Sequence, residues 1–287
     1  MRYAQLIEAT FEVAQRSGDE YTCVCLWCRG SKLYANGVKG LYVCFSCHAK
    51  GRLDDLGVLP QQTTAGLRER LARMAQPKPE QVYYPDGWLK QFDTPTTYWT
   101  DDRGLPAATV KQFGLGYDPF SSRVTLPLRD VRGRVLGVTY RRLDDGRPKY
   151  LHPKGFPIGR HLYGAWLLTD QQQVAVVEGQ VDAIRCWSER VPAVSLMGSR
   201  ITKDQIKVLQ RADINTVVLM LDNDSAGMHG TLAIHEALKG SGIRVRVGWY
   251  RNYWAGVKDP DGLKGDRLRK MYHSGCTVTE WAQKNVV

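Results

Sequence analysis

Three strand-like runs in the second half of the chain lead into carboxylates, two of them uninterruptedly apolar. Val174–Val177 meets Glu178-Gly179, Val217–Leu221 meets Asp222-Asn223-Asp224, and the loop after Arg244–Tyr250 carries Lys258-Asp259-Pro260-Asp261. An uninterrupted apolar run suits a buried parallel strand. Two carboxylates two residues apart at the end of such a strand repel one another unless a cation lies between them. Ligands of a parallel sheet bind outside the carboxyl ends of its strands, so these acids are expected on one edge. Grouped hard oxygen donors suit Mg2+ or Mn2+, which makes Glu178, Asp222, Asp224, Asp259 and Asp261 candidate metal ligands. Gly179 and Gly227 would let backbone approach a phosphate closely. Helix capping by Asp224 or Ser225 accounts for one acid and leaves the rest of the set unexplained.

Other chemistries that use such residues are excluded. An EF-hand starting at Asp222 would need an acid or amide at 226 and Glu at 233, and both are Ala. No G-x-G-x-x-G follows a strand and no G-x-x-x-x-G-K-[ST] occurs, so neither a dinucleotide site nor a P-loop motor is expected.

Cys25-Leu26-Trp27-Cys28 and Cys44-Phe45-Ser46-Cys47 are two C-x-x-C pairs with 15 residues between them. Each pair can clamp one metal from a tight turn, and together they form the tetrahedral thiolate set that zinc prefers. Four protein ligands leave no open position, so one structural zinc is expected. Cys23 and His48 are adjacent spare ligands, and the intervening SKLYANGVKGLYV reads as a hairpin.

Between Arg123 and Lys149 eight basic residues face three acids. RVTLPLRD and RGRVLGVTYRRL flank Asp130-Val131-Arg132-Gly133, which has hairpin-turn character. Arg129 and Arg141 are expected at strand ends on a shared face, where they would bind phosphates without reading sequence. Tyr140 and Tyr150 could stack on bases beside them.

The elements that must hold these groups follow from the rhythm of the chain. Its 287 residues suffice for roughly two domains. A net charge of +11 points to a polyanionic partner. No run reaches the roughly 18 apolar residues that span a bilayer, so no membrane partner is expected. Glu8 and Glu12 interrupt any signal-peptide core, and a short amphipathic helix over Tyr3, Leu6, Ile7, Val13 and Ala14 is expected instead. The cytoplasm is the expected location. From about residue 172 strands and helices alternate, with a capping-box spacing at Thr202 and Gln205, so a parallel sheet with helices on its faces is expected.

Taken together, these motifs resemble the bacterial- and phage-type DNA primases over nearly the full chain. The cysteine spacing is similar to the zinc ribbon of the primase half of T7-like primase-helicases. EGQVDAI and LDNDSAG resemble the two defining motifs of the Toprim fold, and KDPDGL the third acidic segment of primases. LPLRDVRGRVLGVTYRRLDDGRPKYLHPKG followed by HLYG resembles the family's basic motif, and Leu196-Met197-Gly198-Ser199 stands where the family has LGT. The resemblance implies an α/β chain: a zinc ribbon over 1–53, a linker over 54–80, a mixed α+β basic subdomain over 81–165, a Toprim catalytic subdomain over 166–275 and a tail over 276–287. It implies RNA primer synthesis on single-stranded DNA from ribonucleoside triphosphates. Glu178, Asp222 and Asp224 would be catalytic, with Glu178 a base or metal organiser. Arg129, Arg141, Arg142 and Lys149 would hold nucleotide or template. The zinc ribbon would read the template trinucleotide, and a separate replicative helicase is the expected partner. A Toprim nuclease or topoisomerase-like enzyme is disfavoured by the zinc ribbon and basic module. An inactive DNA-binding factor is disfavoured by the intact acids.

Overall fold

Alternating burial along short strands builds an antiparallel five-stranded meander at the N-terminus. Helix α1 (Ala4–Thr10) precedes β1 (Val13–Ser17), β2 (Glu20–Cys23), β3 (Leu33–Asn36), β4 (Leu41–Cys44) and β5 (Lys50–Arg52), which pair in sequence order. The inward residues, Ile7, Phe11, Tyr21, Leu33 and Tyr42 among them, pack with Cys25 and Cys44 in one core. The expected hairpin is β3–β4. The expected helix stops at Thr10, however, and Val13 and Ala14 belong to β1, where Val13 pairs with Cys23. That strand is largely exposed, so its ladder hydrogen bonds hold it, and apolar periodicity carries no sign of it.

In this computed structural model residues 3–47, 49–56, 82–144, 146, 148–250 and 256–285 are described. The chain divides into two units, Met1–Glu80 and Gln81–Val287. His48, Arg147 and nearly all of the expected linker lie outside the described residues.

In the second unit a 3-10 helix, Asp86–Phe92, precedes a π-helical turn, Tyr98–Asp102, and helix α2 (Ala107–Phe113). An antiparallel sheet follows: β6 (Gly116–Asp118), β7 (Arg123–Arg129), β8 (Val135–Arg142) and β9 (Tyr150–Leu151), in that spatial order. The β7–β8 turn falls where expected. Asp130 accepts the Arg132 and Arg134 N–H groups, each at 2.9 Å, and Gly133 takes φ +80°.

The parallel sheet contains β10 (Gln173–Val177), β11 (Ala193–Ser195), β12 (Thr216–Leu219) and β13 (Arg244–Val247), in the order β11-β10-β12-β13. Helices α3 (Gln180–Ser188), α4 (Lys203–Arg211) and α5 (Ser225–Leu238) alternate with these strands; α6 (Asp266–His273) and α7 (Val278–Asn285) follow. Thr202 and Gln205 form the reciprocal capping box that starts α4. Ala175, Val177, Val218 and Met220 share a core with Val124, Leu126 and Leu128 of the antiparallel sheet. The opposite face, Val174, Val176, Val217 and Leu219, packs on Leu209, Ile234 and Leu238. The expected basic and Toprim subdomains are thus joined by one core. The expected tail contains α7, with Trp281 buried. Among the described residues no helix is long and apolar enough to cross a membrane.

The strand order places the site. From β10 the chain moves outward to β11, then returns past β10 to β12. The carboxyl ends of β10 and β12 therefore flank a topological switch point, where open α/β sheets bind ligands.

Candidate metal and nucleotide sites

The Sγ atoms of Cys25, Cys28, Cys44 and Cys47 lie within 4.8 Å of one another. Cys25 and Cys47 approach to 3.6 Å, and Cys28 and Cys44 to 3.7 Å. The cluster is consistent with one tetrahedral zinc. Burial alone would raise the Cys44 thiol, but N–H groups of Cys47 and Ser46 outweigh it and bring it to about 6. Zinc binds the thiolate that this favours. Cys23 is outside the set and packs in the unit's core, where burial pushes its thiol up to about 11.

In the second unit, Glu178 and Asp222 leave neighbouring strands side by side, and the Asp222 N–H donates to Glu178 Oε1 at 3.4 Å. Asp259 and Asp261 reach the same edge from their loop. The acids line a cleft of about 320 Å³, with Arg103, Arg141 and Lys149 on its walls. Ser195 Oγ donates to the Glu178 carbonyl and accepts the Met197 N–H, which ties β11 to the acidic edge.

One acid of the cleft was missed by reading strand ends alone. Asp182 lies in the first turn of α3, buried, and accepts the Asp261 N–H at 3.1 Å. The signal was available: a helix that starts directly after Glu178-Gly179 turns Asp182 back toward the strand end.

The cleft concentrates negative charge. Burial, then Asp259 and Asp224, raise Asp222 to about 6, although Lys149 opposes them. Burial, then Asp259, Asp222 and Asp261, raise Asp182 to about 8. Glu178 is raised by burial and by Asp222. Buried carboxylates that repel one another fit a divalent cation. Among the described residues only the cysteines form a group of three or more possible ligands with atoms mutually within 4.8 Å. The acids are spaced more widely, as suits an octahedral ion that keeps waters and takes phosphate oxygens.

Asp224 caps α5, its Oδ1 accepting the Gly227 N–H at 2.8 Å. Its charge still raises both Glu178 and Asp222. Gly227 itself is packed on the acidic turn: a Cβ there would lie 2.0 Å from the Asp222 carbonyl oxygen. Gly227→Ala is therefore expected to displace Asp222 and to cost on the order of 1–3 kcal/mol. Thermal unfolding and Mn2+ binding, both measured on the variant, check this; unchanged values would show that the turn yields freely.

The basic residues divide. Arg141 is buried, donates from Nε to Tyr150 Oη at 3.2 Å and from Nη1 to Tyr98 Oη, and lines the cleft with Lys149. Arg142 is paired with the exposed Asp144. Arg129 lies at the turn end of the hairpin, donating to Asp86 at 2.8 Å and to the Gly133 carbonyl at 2.6 Å. Arg141 pairs with Val124 and Arg129 with Val135, so the two arginines occupy opposite ends of the hairpin, roughly 20 Å apart along the strands. Arg103, which sequence spacing did not reveal, enters from the π-helical turn and donates to Asp261 at 2.5 Å.

Residues 175–263 match the sequence model of the Toprim-like family. This segment is Toprim-like. The Toprim-like segment holds Glu178, Asp182, Asp222, Asp224, Asp259 and Asp261. The DNA primase of Deinococcus radiodurans is 34% identical over 177 residues, covering 58% of this chain and 31% of that protein. The chain spans between 26% and 34% of the length of three curated DNA primases that it matches. The zinc-binding and RNA polymerase domains of the Aquifex aeolicus primase superpose with a TM-score of 0.59 at 20% identity, covering 100% of this chain and 87% of that one. A DnaG primase catalytic domain bound to single-stranded DNA superposes with a TM-score of 0.56 at 24% identity, covering 70% of this chain and 80% of that one. The architecture is thus a mixed α/β fold with an N-terminal zinc-ribbon-like site and a Toprim-type parallel sheet.

Proposed function

We propose that this chain is the template-reading and polymerising part of a DNA primase, and that it joins ribonucleoside triphosphates into short RNA primers on single-stranded DNA. The cleft carries this reading: the acids at the carboxyl edge of the Toprim-type sheet share one cavity with Arg141 and Lys149. The primer 3′-hydroxyl would attack the α-phosphate of the incoming nucleotide, with pyrophosphate leaving. Bound Mg2+ or Mn2+ would lower the cost of charge on the attacking and leaving oxygens. Asp222, Asp224 and Asp259, together with Asp182, would hold the ions, with Asp261 at the same edge. Glu178, whose proton affinity is raised, suits acceptance of the hydroxyl proton. Arg141 and Lys149 would grip the triphosphate, while Arg142 and the more distant Arg129 would hold template phosphates. The cysteine unit would carry zinc and read the template trinucleotide. Its C-x2-C-x15-C-x2-C spacing supports kinship with the primase half of T7-like proteins. The ssDNA-bound DnaG domain of the same fold supports the template class. A replicative helicase on a separate chain is the proposed partner.

The deciding assay combines single-stranded DNA, four ribonucleotides and Mg2+. Short, template-dependent RNA is the expected product. Cleaved DNA without synthesis would replace this reading with a Toprim nuclease, and DNA binding with neither activity would replace it with an inactive replication factor.

A further inference from the structure

Asp261 stands apart from the other acids of the cleft. Its Oδ2 accepts from Arg103 Nη1 at 2.5 Å and its Oδ1 from Arg185 Nε at 3.2 Å, with the carboxylate 13% exposed. Asp182 and Asp222 form no ion pair among the described residues. A cation bound to Asp261 would sit beside two guanidinium charges and would compete with both for the same two oxygens. Arg185, on α3, is 2% exposed. Besides Asp261 it donates to the backbone carbonyls of Arg103 and Gly104. A fully buried arginine is costly unless its donors are met, and here the planar fork meets one carboxylate and two carbonyls at once.

The contacts continue in two directions. The Asp261 N–H donates to Asp182 Oδ1 at 3.1 Å, a backbone contact that does not use the Asp261 carboxylate. Arg103 Nε donates to Tyr98 Oη at 2.7 Å, and Tyr98 Oη accepts from Arg141 as well. A continuous set of hydrogen bonds therefore runs from the buried helix α3 to the arginine on β8.

We propose that Asp261 is an anchor and not a cation ligand, and that Arg185 is a positioning residue that clamps Asp261 and the Arg103–Gly104 backbone. The clamp holds the Tyr98–Arg141 pair over the incoming nucleotide's phosphates, while the Asp182 contact, made by the Asp261 backbone N–H, outlasts loss of the Asp261 charge. This deepens the primase reading and rests on it.

The test uses the full zinc-loaded chain and two readouts. Mn2+ binding is followed by electron paramagnetic resonance without DNA or nucleotide, and priming kinetics are measured separately. The pair Arg185→Met with Asp261→Asn removes one positive and one negative charge, so the net charge of the site is kept. Mn2+ affinity in the pair is expected to stay within roughly threefold of the unmodified chain, while KM for the nucleotide rises on the order of tenfold and kcat changes less. Asp259→Asn, as the control, is expected to weaken Mn2+ binding on the order of tenfold. A comparable loss in the charge-neutral pair would make Asp261 a ligand and overturn the anchor. Arg185→Lys keeps the charge and loses the fork, and an unchanged KM in that variant would overturn the positioning role. If the pair shows no cooperative unfolding transition, Arg103→Met with Asp261→Asn carries the same expectations from the more exposed side. Absence of RNA synthesis by the unmodified chain would defeat the primase reading alone, because Mn2+ binding still decides the role of Asp261.

Discussion

Asp222→Asn is expected to lower RNA synthesis by roughly a thousandfold while single-stranded DNA binding stays within about twofold. The substitution keeps the shape of the side chain and removes its charge at the carboxyl end of β12. DNA binding rests on phosphate contacts spread over a chain of net charge +11, of which this carboxylate is no part. The stability of the same variant should move the opposite way. Asp222 binds its proton more tightly in the fold, at about 6, than in the unfolded chain, at about 4. Through this group the metal-free fold loses stability as pH rises from about 4 to about 6, and the penalty persists above that. Asn escapes the penalty. At neutral pH without metal the variant should therefore melt higher than the unmodified chain, and Mg2+ should raise the unmodified chain's Tm much more than the variant's. A variant that is more stable and inactive is the signature of a site strained for function. Thermal melts at several pH values, with and without Mg2+, check the sign. Full activity in the variant, or a lower Tm without metal, would remove Asp222 from the cation site. Asp224 is a poorer probe as Ala, because losing its cap on α5 costs about 1 kcal/mol on its own. Asp224→Asn keeps the cap and isolates the charge.

The acidic edge was legible because its information is local. β10 and β12 are continuous apolar runs bounded by acids, and the strand–helix alternation around them fixes a parallel sheet with its carboxyl ends together. The cysteine turns are local too. What stayed hidden depends on register or on long-range packing. Arg129 and Arg141 end adjacent strands, but the irregularity at Leu128/Arg129 and the hairpin pairing put them at opposite ends. Arg103 and Tyr98 come from a π-helical turn with no periodic signature, and it is packing of Trp99 and Leu105 into the shared core that brings them to the cleft. Arg185 reads in sequence as one basic residue on an amphipathic helix; only the loop folding back from Asp259 to Gly262 reveals that it is buried against Asp261.

Cys44→Ser is expected to abolish zinc binding and unfold the N-terminal unit while leaving the second unit folded. Cys25 and Cys44 belong to the unit's core, so the metal and the packed side chains are one structure. A domain of about 60 residues or fewer buries too little surface to be comfortably stable alone, and structural zinc supplies about 10–16 kcal/mol in small zinc modules. Serine binds zinc poorly, and the N–H groups of Cys47 and Ser46 that now favour a thiolate would face a neutral hydroxyl. The second unit has its own two clusters of buried residues and no zinc ligand of this set, so its unfolding transition should persist. Metal analysis should read one zinc per unmodified chain and none in the variant, and calorimetry should show one transition lost and one kept. Removal of zinc by a chelator should reproduce that pattern in the unmodified chain. Priming should split in the same way. Initiation on template is expected to fall on the order of tenfold or more, while extension of a pre-annealed RNA primer, which needs only the acidic cleft, continues. Loss of both transitions, or equal loss of initiation and extension, would mean that the zinc unit supports the catalytic unit's fold instead of reading template.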